Sequence, residues 1–165
     1  MEKIAQKIEQ KLSEKYAKAS VAGFGERKPD FSAAGRGKRG AASLREVVIV
    51  AACRTPYGRF GGALKGFGAA ELGALAIREV LRRTEGKVKP GDVDYVFMGQ
   101  VVPAGCGQVP SRQATILAGL PESVPSITVN KVCSSGIKTV DLAVQMIQLG
   151  RADICIAGGQ ESMTN

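Results

Sequence analysis

Four cysteines, at positions 53, 106, 133 and 155, are the candidate nucleophiles of this sequence, and it contains no histidine. One of them has a distinctive setting. Cys133 lies in Val129-Asn130-Lys131-Val132-Cys133-Ser134-Ser135-Gly136, between a β-type run, Ser126–Val129, and a helical pattern from about Ser134 to Leu149. The cysteine therefore falls at a strand-to-helix turn, at or next to a helix N-terminus. Unpaired backbone N–H groups and the positive end of the helix dipole meet there. Both favour a thiolate over a thiol, and a thiolate is the nucleophilic form. The small residues after it, Ser134, Ser135 and Gly136, leave room for a substrate. The alternative at this point is a cysteine packed inertly under the helix, a common place for a free thiol.

The other cysteines offer less. None forms a C-x-x-C pair and no histidine accompanies them, so no metal site is expected. No apolar leader segment precedes them and no run reaches membrane-spanning length, so the expected setting is a reducing cytoplasm with free thiols and no membrane partner. The lack of histidine also excludes a histidine-assisted nucleophile within these residues. Either the chemistry is of another kind or part of the machinery lies elsewhere.

At 165 residues the chain is long enough for a domain with a real core. A hydrophobic content of 44% with 21 glycines and no tryptophan suits closely packed layers joined by tight turns. The net charge of +8 raises the question of an anionic partner. Its distribution argues against nucleic acid: residues 1–42 hold ten Lys/Arg and five Asp/Glu, so most of the excess lies there. No aromatic residues interleave with basic ones to make a stacking platform.

Residues 1–21 carry Ile4, Ile8, Leu12 and Tyr16 at helical spacing, with Lys3, Lys7, Lys11 and Lys15 on another face. This predicts an amphipathic helical extension. Its acidic residues weaken any attraction to anionic lipid, so a solvated appendage is favoured over a membrane helix. Residues 22–43, rich in Gly, Ala, Ser, Lys and Arg, form a flexible linker. The folded part is expected to span 44–165.

Within it, the β-branched run Glu46–Ala52 predicts a buried strand. A loop over Cys53–Gly62 follows, and then a helix over about Ala69–Thr84. Val93–Met98 is the second strand, ended by Gly99. A short helix is expected over about Ser111–Ala118, and the third strand after Pro125 leads to Cys133. The helix after Cys133 is apolar nearly all round, so it is expected to be buried between two layers. Gly150 closes it, and Ala152–Ala157 is the fourth strand. Alternating strands and helices predict an α/β fold with a largely parallel sheet. Ligands in such sheets sit beyond the strands' carboxyl ends, where both Cys133 and Gly158–Asn165 fall.

Three segments now carry a resemblance. Val48–Leu64 contains Arg54-Thr55-Pro56 and Gly58 ahead of a glycine pair; the second is Asn130–Gly136 around Cys133; the third is Ala157-Gly158-Gly159-Gln160-Glu161-Ser162-Met163-Thr164-Asn165. In this order they make residues 44–165 resemble the first part of a thiolase. The resemblance implies an acetyl-CoA C-acetyltransferase: Cys133 takes an acetyl group from acetyl-CoA, a second acetyl-CoA enolate attacks it in a Claisen condensation, and the reverse reaction is thiolysis of a 3-ketoacyl-CoA. The Cys133 backbone N–H would also serve as an oxyanion donor. Coenzyme A thioesters would be substrates, with no permanently bound cofactor; which residues hold them is unknown. The implied fold is layered, α-β-α-β-α, with most of its first half present. A homodimer or homotetramer is implied, with the segment before the nucleophile near the tight contact.

The departures matter as much. The family's remaining catalytic groups are a histidine in Gly-His-Pro, a further histidine with an asparagine near it, and an acid/base cysteine before a glycine. None is present, and Cys53, Cys106 and Cys155 match no family catalytic position. Gln160 stands where Met is more usual. The expectation is a truncated chain, inactive alone. The alternatives are a non-catalytic fragment acting as an interaction or dimerisation partner, or a thiolase for longer acyl chains.

Overall fold

The computed structural model describes residues 44–165. The amphipathic extension expected over 1–21 and the linker expected over 22–43 lie outside the described residues.

The elements in chain order are α1 (Ala69–Arg82), a 3-10 turn (Pro90–Asp92), β1 (Tyr95–Gly99), α2 (Pro110–Leu117), β2 (Ser126–Val129), α3 (Ser135–Gln148) and β3 (Cys155–Gly159). The three strands form one parallel sheet in the order β2-β1-β3. Phe97 pairs with Ile127 on one side and with Ala157 on the other. The chain steps outward from β1 to β2 through α2, then back past β1 to β3 through α3. Right-handed crossovers in opposite directions place their helices on opposite faces. The side chains agree. Val96 and Met98 join Ala74 and Ile77 of α1 and Ala114 of α2 in one core. Gly99, on the other face, abuts Ser135 and Gly136 of α3. The described part is therefore a three-layer α/β/α unit.

Local sequence accounts for the helices. The α1 helix buries Ala69, Gly73, Ala74 and Ile77, which recur at helical spacing. Its entry is fixed by the Glu71 carboxylate, which accepts from Gly68 N–H at 2.8 Å. Pro110 opens α2 at a position where its missing N–H costs nothing. After α3, Gly150 takes φ +67, the left-handed conformation that ends a helix cheaply in glycine. The first and last strands are shifted from the sequence reading. The β3 strand runs over Cys155–Gly159 rather than Ala152–Ala157, and β1 includes Gly99.

Two expectations fail. Glu46–Ala52 is not a strand: among the described residues β3 pairs only with β1, and Val48, Ile49 and Val50 are 68%, 80% and 72% exposed. Apolar β-branched residues favour extended chain, but a strand exists only through a ladder partner, and here none forms. The segment is instead tied down by side chains. Arg45 reaches Ala152 O and the Asp153 carboxylate, and Arg83 donates to Ala52 O at 2.7 Å. A cavity of about 990 Å³ opens between this segment, α1, α3 and the free edge of β3. The second failure concerns α3, which is covered on one side only. Ser135, Thr139 and Ala143 are buried, while Ile137 is 79% exposed and Val140 and Leu149 are also open. Among the described residues no second sheet covers that face.

Candidate active site at the strand-to-helix turn

The Cys133 turn is built at the carboxyl ends of three parallel strands. The β2 strand ends at Val129 and α3 begins at Ser135, so five residues reverse the chain onto the sheet. Ser134 is the N-cap of α3, with no side-chain cap, and Cys133 stands one residue before it. The sequence reading placed it there. The thiol is exposed, not packed beneath the helix.

The turn contains an unusual backbone conformation. Val132 has φ +50, the left-handed region that costs a β-branched residue on the order of 1–2 kcal/mol. Hydrogen bonds hold it. Asn130 Oδ1 accepts from Val132 N–H at 3.0 Å, while Asn130 Nδ2 donates to Val101 O at 3.0 Å. Ser135 Oγ, buried, accepts from Lys131 N–H at 2.8 Å and donates to Val132 O at 2.6 Å. Ser134 N–H and Ser135 N–H donate back to Lys131 O and Val132 O, each at 3.1 Å. The Cys133 N–H donates to none of the described residues. It is thus available to a ligand beside its own exposed sulfur.

The neighbouring strand ends fit closely around this turn. Gly99 has no room for a side chain: a Cβ there would lie 2.7 Å from the Ser135 carbonyl carbon. Beyond the strands the ladder continues, with Gln100 N–H donating to Val129 O and Gln160 N–H to Gly99 O, both at 2.9 Å. Glu161 follows, and its carboxylate accepts from Val101 N–H at 2.7 Å and Val102 N–H at 3.2 Å. Gln160 is buried, and its Nε2 donates to the buried Gln100 Oε1 at 3.0 Å. The Gln160 Oε1 has no hydrogen-bond partner among the described residues and lies against Gly73. Gln160 thus joins the ends of β1 and β3 through a buried amide pair.

The remaining cysteines differ in environment. Burial pushes the Cys155 thiol up to about 11, and the nearby Asp94 carboxylate adds to the rise. Burial also raises Cys53, partly offset by Arg83, and its Sγ lies 3.2 Å from Ala76 O. Both are poor thiolates near neutral pH. Cys106 sits in the loop after β1, where Gln100 Nε2 approaches its sulfur at 3.3 Å. Among the described residues no cluster of His, Cys, Asp or Glu could hold a metal ion, and no helix is long and apolar enough to cross a membrane.

An exposed cysteine on a left-handed turn between a parallel strand and a helix does not by itself name a family. Residues 47–165 match the family described as thiolase, N-terminal domain. The chain belongs to the thiolase family. It is 54% identical over 121 residues to the probable acetyl-CoA acetyltransferase of Escherichia coli (strain K12), covering 73% of this chain and 30% of that protein. It is 56% identical over 119 residues to the acetyl-CoA acetyltransferase of Chromobacterium violaceum, covering 72% and 30%. In three dimensions it resembles the Acat5 thiolase from Ascaris suum, crystallised in complex with coenzyme A. The TM-score is 0.71 and the identity 36%, with 73% of this chain and 31% of that one covered. The chain thus spans about 30% of the length of the thiolases it matches.

Sequence reading placed Cys133 at this turn. It named Asn130 and Glu161 within the resembling segments without a role, and took Ser135 only as a small residue leaving room for a substrate. Asn130 and Ser135 carried a local signal, as short polar side chains flanking a turn. Glu161 carried none, because its partners are about sixty residues away in sequence.

Proposed function

We propose that Cys133 is the acyl-carrying nucleophile of an acetyl-CoA C-acetyltransferase. The observation that supports this most is the exposed Cys133 on a hydrogen-bonded, left-handed turn, within a segment of thiolase sequence. The Cys133 sulfur, as thiolate, attacks the thioester carbonyl carbon of acetyl-CoA. The carbonyl oxygen becomes an oxyanion next to the Cys133 N–H, a donor fixed in place that no described residue takes up. The new C–S bond forms, the bond to the CoA sulfur breaks, and CoA leaves with the proton given up by the cysteine. The products are S-acetyl-Cys133 and CoA-SH.

The Claisen step needs a base to take a proton from a second acetyl-CoA, and with no histidine in the sequence these 165 residues do not offer one of that kind. We therefore assign to this chain the acyl-transfer half of the reaction. The substrate of this half is acetyl-CoA and, in the reverse sense, coenzyme A; cleavage of a short 3-ketoacyl-CoA belongs to the other half. The setting is cytoplasmic. Self-association is supported by β2, an edge strand with Ile127 exposed, which directly precedes the turn. The same exposed surface supports a second reading, in which the chain pairs with a complete thiolase subunit.

The test is release of CoA thiol from acetyl-CoA. The parent chain is expected to release about one equivalent and then stop; Cys133→Ser is expected to release none. Equal release by the two proteins would contradict the assignment.

A further inference from the structure

The chemistry assigned to Cys133 depends on where its N–H points, and that is set by residues that do not themselves touch a substrate. We infer that Asn130 and Glu161 are positioning residues, which together lock the oxyanion-donating turn to the ends of all three strands. This inference rests on the acyl-transfer reading of Cys133 and extends it to how the donor is held.

The connections form one continuous path. Glu161, just past β3, grips two successive N–H groups, those of Val101 and Val102. This fixes the Val101 peptide just past β1. The carbonyl of the same residue accepts from Asn130 Nδ2, just past β2. The other end of that amide, Oδ1, takes the Val132 N–H. Val132 is the residue with φ +50, and it immediately precedes Cys133. A β-branched residue left to itself leaves the left-handed region, and the rotation would swing the next peptide N–H, that of Cys133, away from its present direction. Ser135 secures the same turn from the helix side through Val132 O. Among the described residues Asn130 alone makes a hydrogen bond from the turn to the neighbouring strand end, and its amide has the donor and the acceptor that this bridge requires. Glu161 is partly buried and carries charge, so its two bonds to backbone are of the stronger kind.

The bridge makes a prediction that ordinary stabilisation does not. Acylation by a thioester uses the oxyanion donor, whereas alkylation by iodoacetamide displaces iodide and needs only the sulfur. Losing the lock should therefore change the ratio of the two rates at one and the same cysteine.

The experiment uses the full 165-residue chain. Acetylation by acetyl-CoA and alkylation by iodoacetamide are measured at the Cys133 peptide, with amide hydrogen exchange followed across residues 126–149. Asn130→Ala is expected to lower the acetylation-to-alkylation ratio roughly tenfold or more, the scale of a displaced oxyanion donor. It should also speed exchange at Val132 while leaving the interior of α3 protected. Asn130→Asp keeps the acceptor for Val132 N–H and should restore its protection, although it loses the link to Val101. Glu161→Gln leaves one acceptor oxygen for two N–H groups and should give an intermediate fall in the ratio. An unchanged ratio in Asn130→Ala, with the parent acetylated normally, would overturn this inference alone. A parent whose Cys133 is alkylated but never acetylated would overturn the acyl-transfer reading and the inference with it. A uniform loss of protection throughout α3 would reduce Asn130 to a stability residue and also overturn it.

Discussion

At the scale of single residues, four thiols of one chain are divided by their surroundings. Cys133 is exposed at a turn, whereas Cys155 lies in β3 with its thiol pushed up to about 11, chiefly by burial. The sign follows directly: at pH 8 only about one Cys155 in a thousand is ionised. Peptide-resolved alkylation at pH 8 should therefore modify Cys133 well before Cys155, with Cys155 gaining reactivity only as the pH approaches 11. Comparable labelling of the two at pH 8 would contradict this. Much of the distinction was legible from the sequence. Cys133 is followed by small residues at a strand-to-helix junction, whereas Cys155 falls within an apolar strand-forming run, although β3 begins at Cys155 itself. What could not be read was the grip on the turn, because Asn130, Val101 and Glu161 come together only when three parallel strands end side by side.

At the scale of elements, the contact of β1 with α3 positions the turn. Gly99 meets Ser135 with no space for a methyl group, and the obstructing atoms are backbone that cannot rotate away. Gly99→Ala should cost about 1–3 kcal/mol, as overpacking does, and it should lower the thermal midpoint. Gly158→Ala is the control: its Cβ would meet only the Met98 side chain at 3.4 Å, and the midpoint should change little. Asp94 supplies a pH-dependent tie between β1 and the segment entering β3. Its carboxylate accepts from Ile154 N–H and Asp153 N–H, and these bonds hold its pKa below the ordinary value. A lowered native pKa means stability that is present at neutral pH and lost as the pH falls below about 4. Asp94→Asn should be less stable than the parent at pH 7 in urea titrations, with the gap narrowing in acid. Helices were the easier elements to read, since α1 and α3 carry their signal within one segment. The Glu46–Ala52 strand was misread for the opposite reason: its composition is right, but pairing is a property of two segments.

At the scale of the whole molecule, the described unit leaves much apolar surface uncovered. Val48, Ile49 and Val50 are exposed beside the open edge of β3, and Ile137, Val140 and Leu149 are exposed along α3. Surface of this kind marks an interface or an aggregation liability. The purified chain should bind a hydrophobic dye such as ANS in its native state and self-associate as concentration rises. Ile137→Lys should reduce both, whereas a monodisperse monomer that binds no dye would count against an uncovered face. The five-layer fold implied by the family resemblance is visible here as three layers, with α3 forming the outermost one.

If Cys133 accepts an acetyl group, that group can be located on the chain. After incubation of the parent chain with acetyl-CoA, peptide mapping under mildly acidic conditions should place a single acetyl thioester on the peptide containing Cys133, removable by hydroxylamine and absent from Cys133→Ser. Acetylation confined to other cysteines or to lysines, with the Cys133 peptide unmodified, would show that Cys133 is not the acyl carrier.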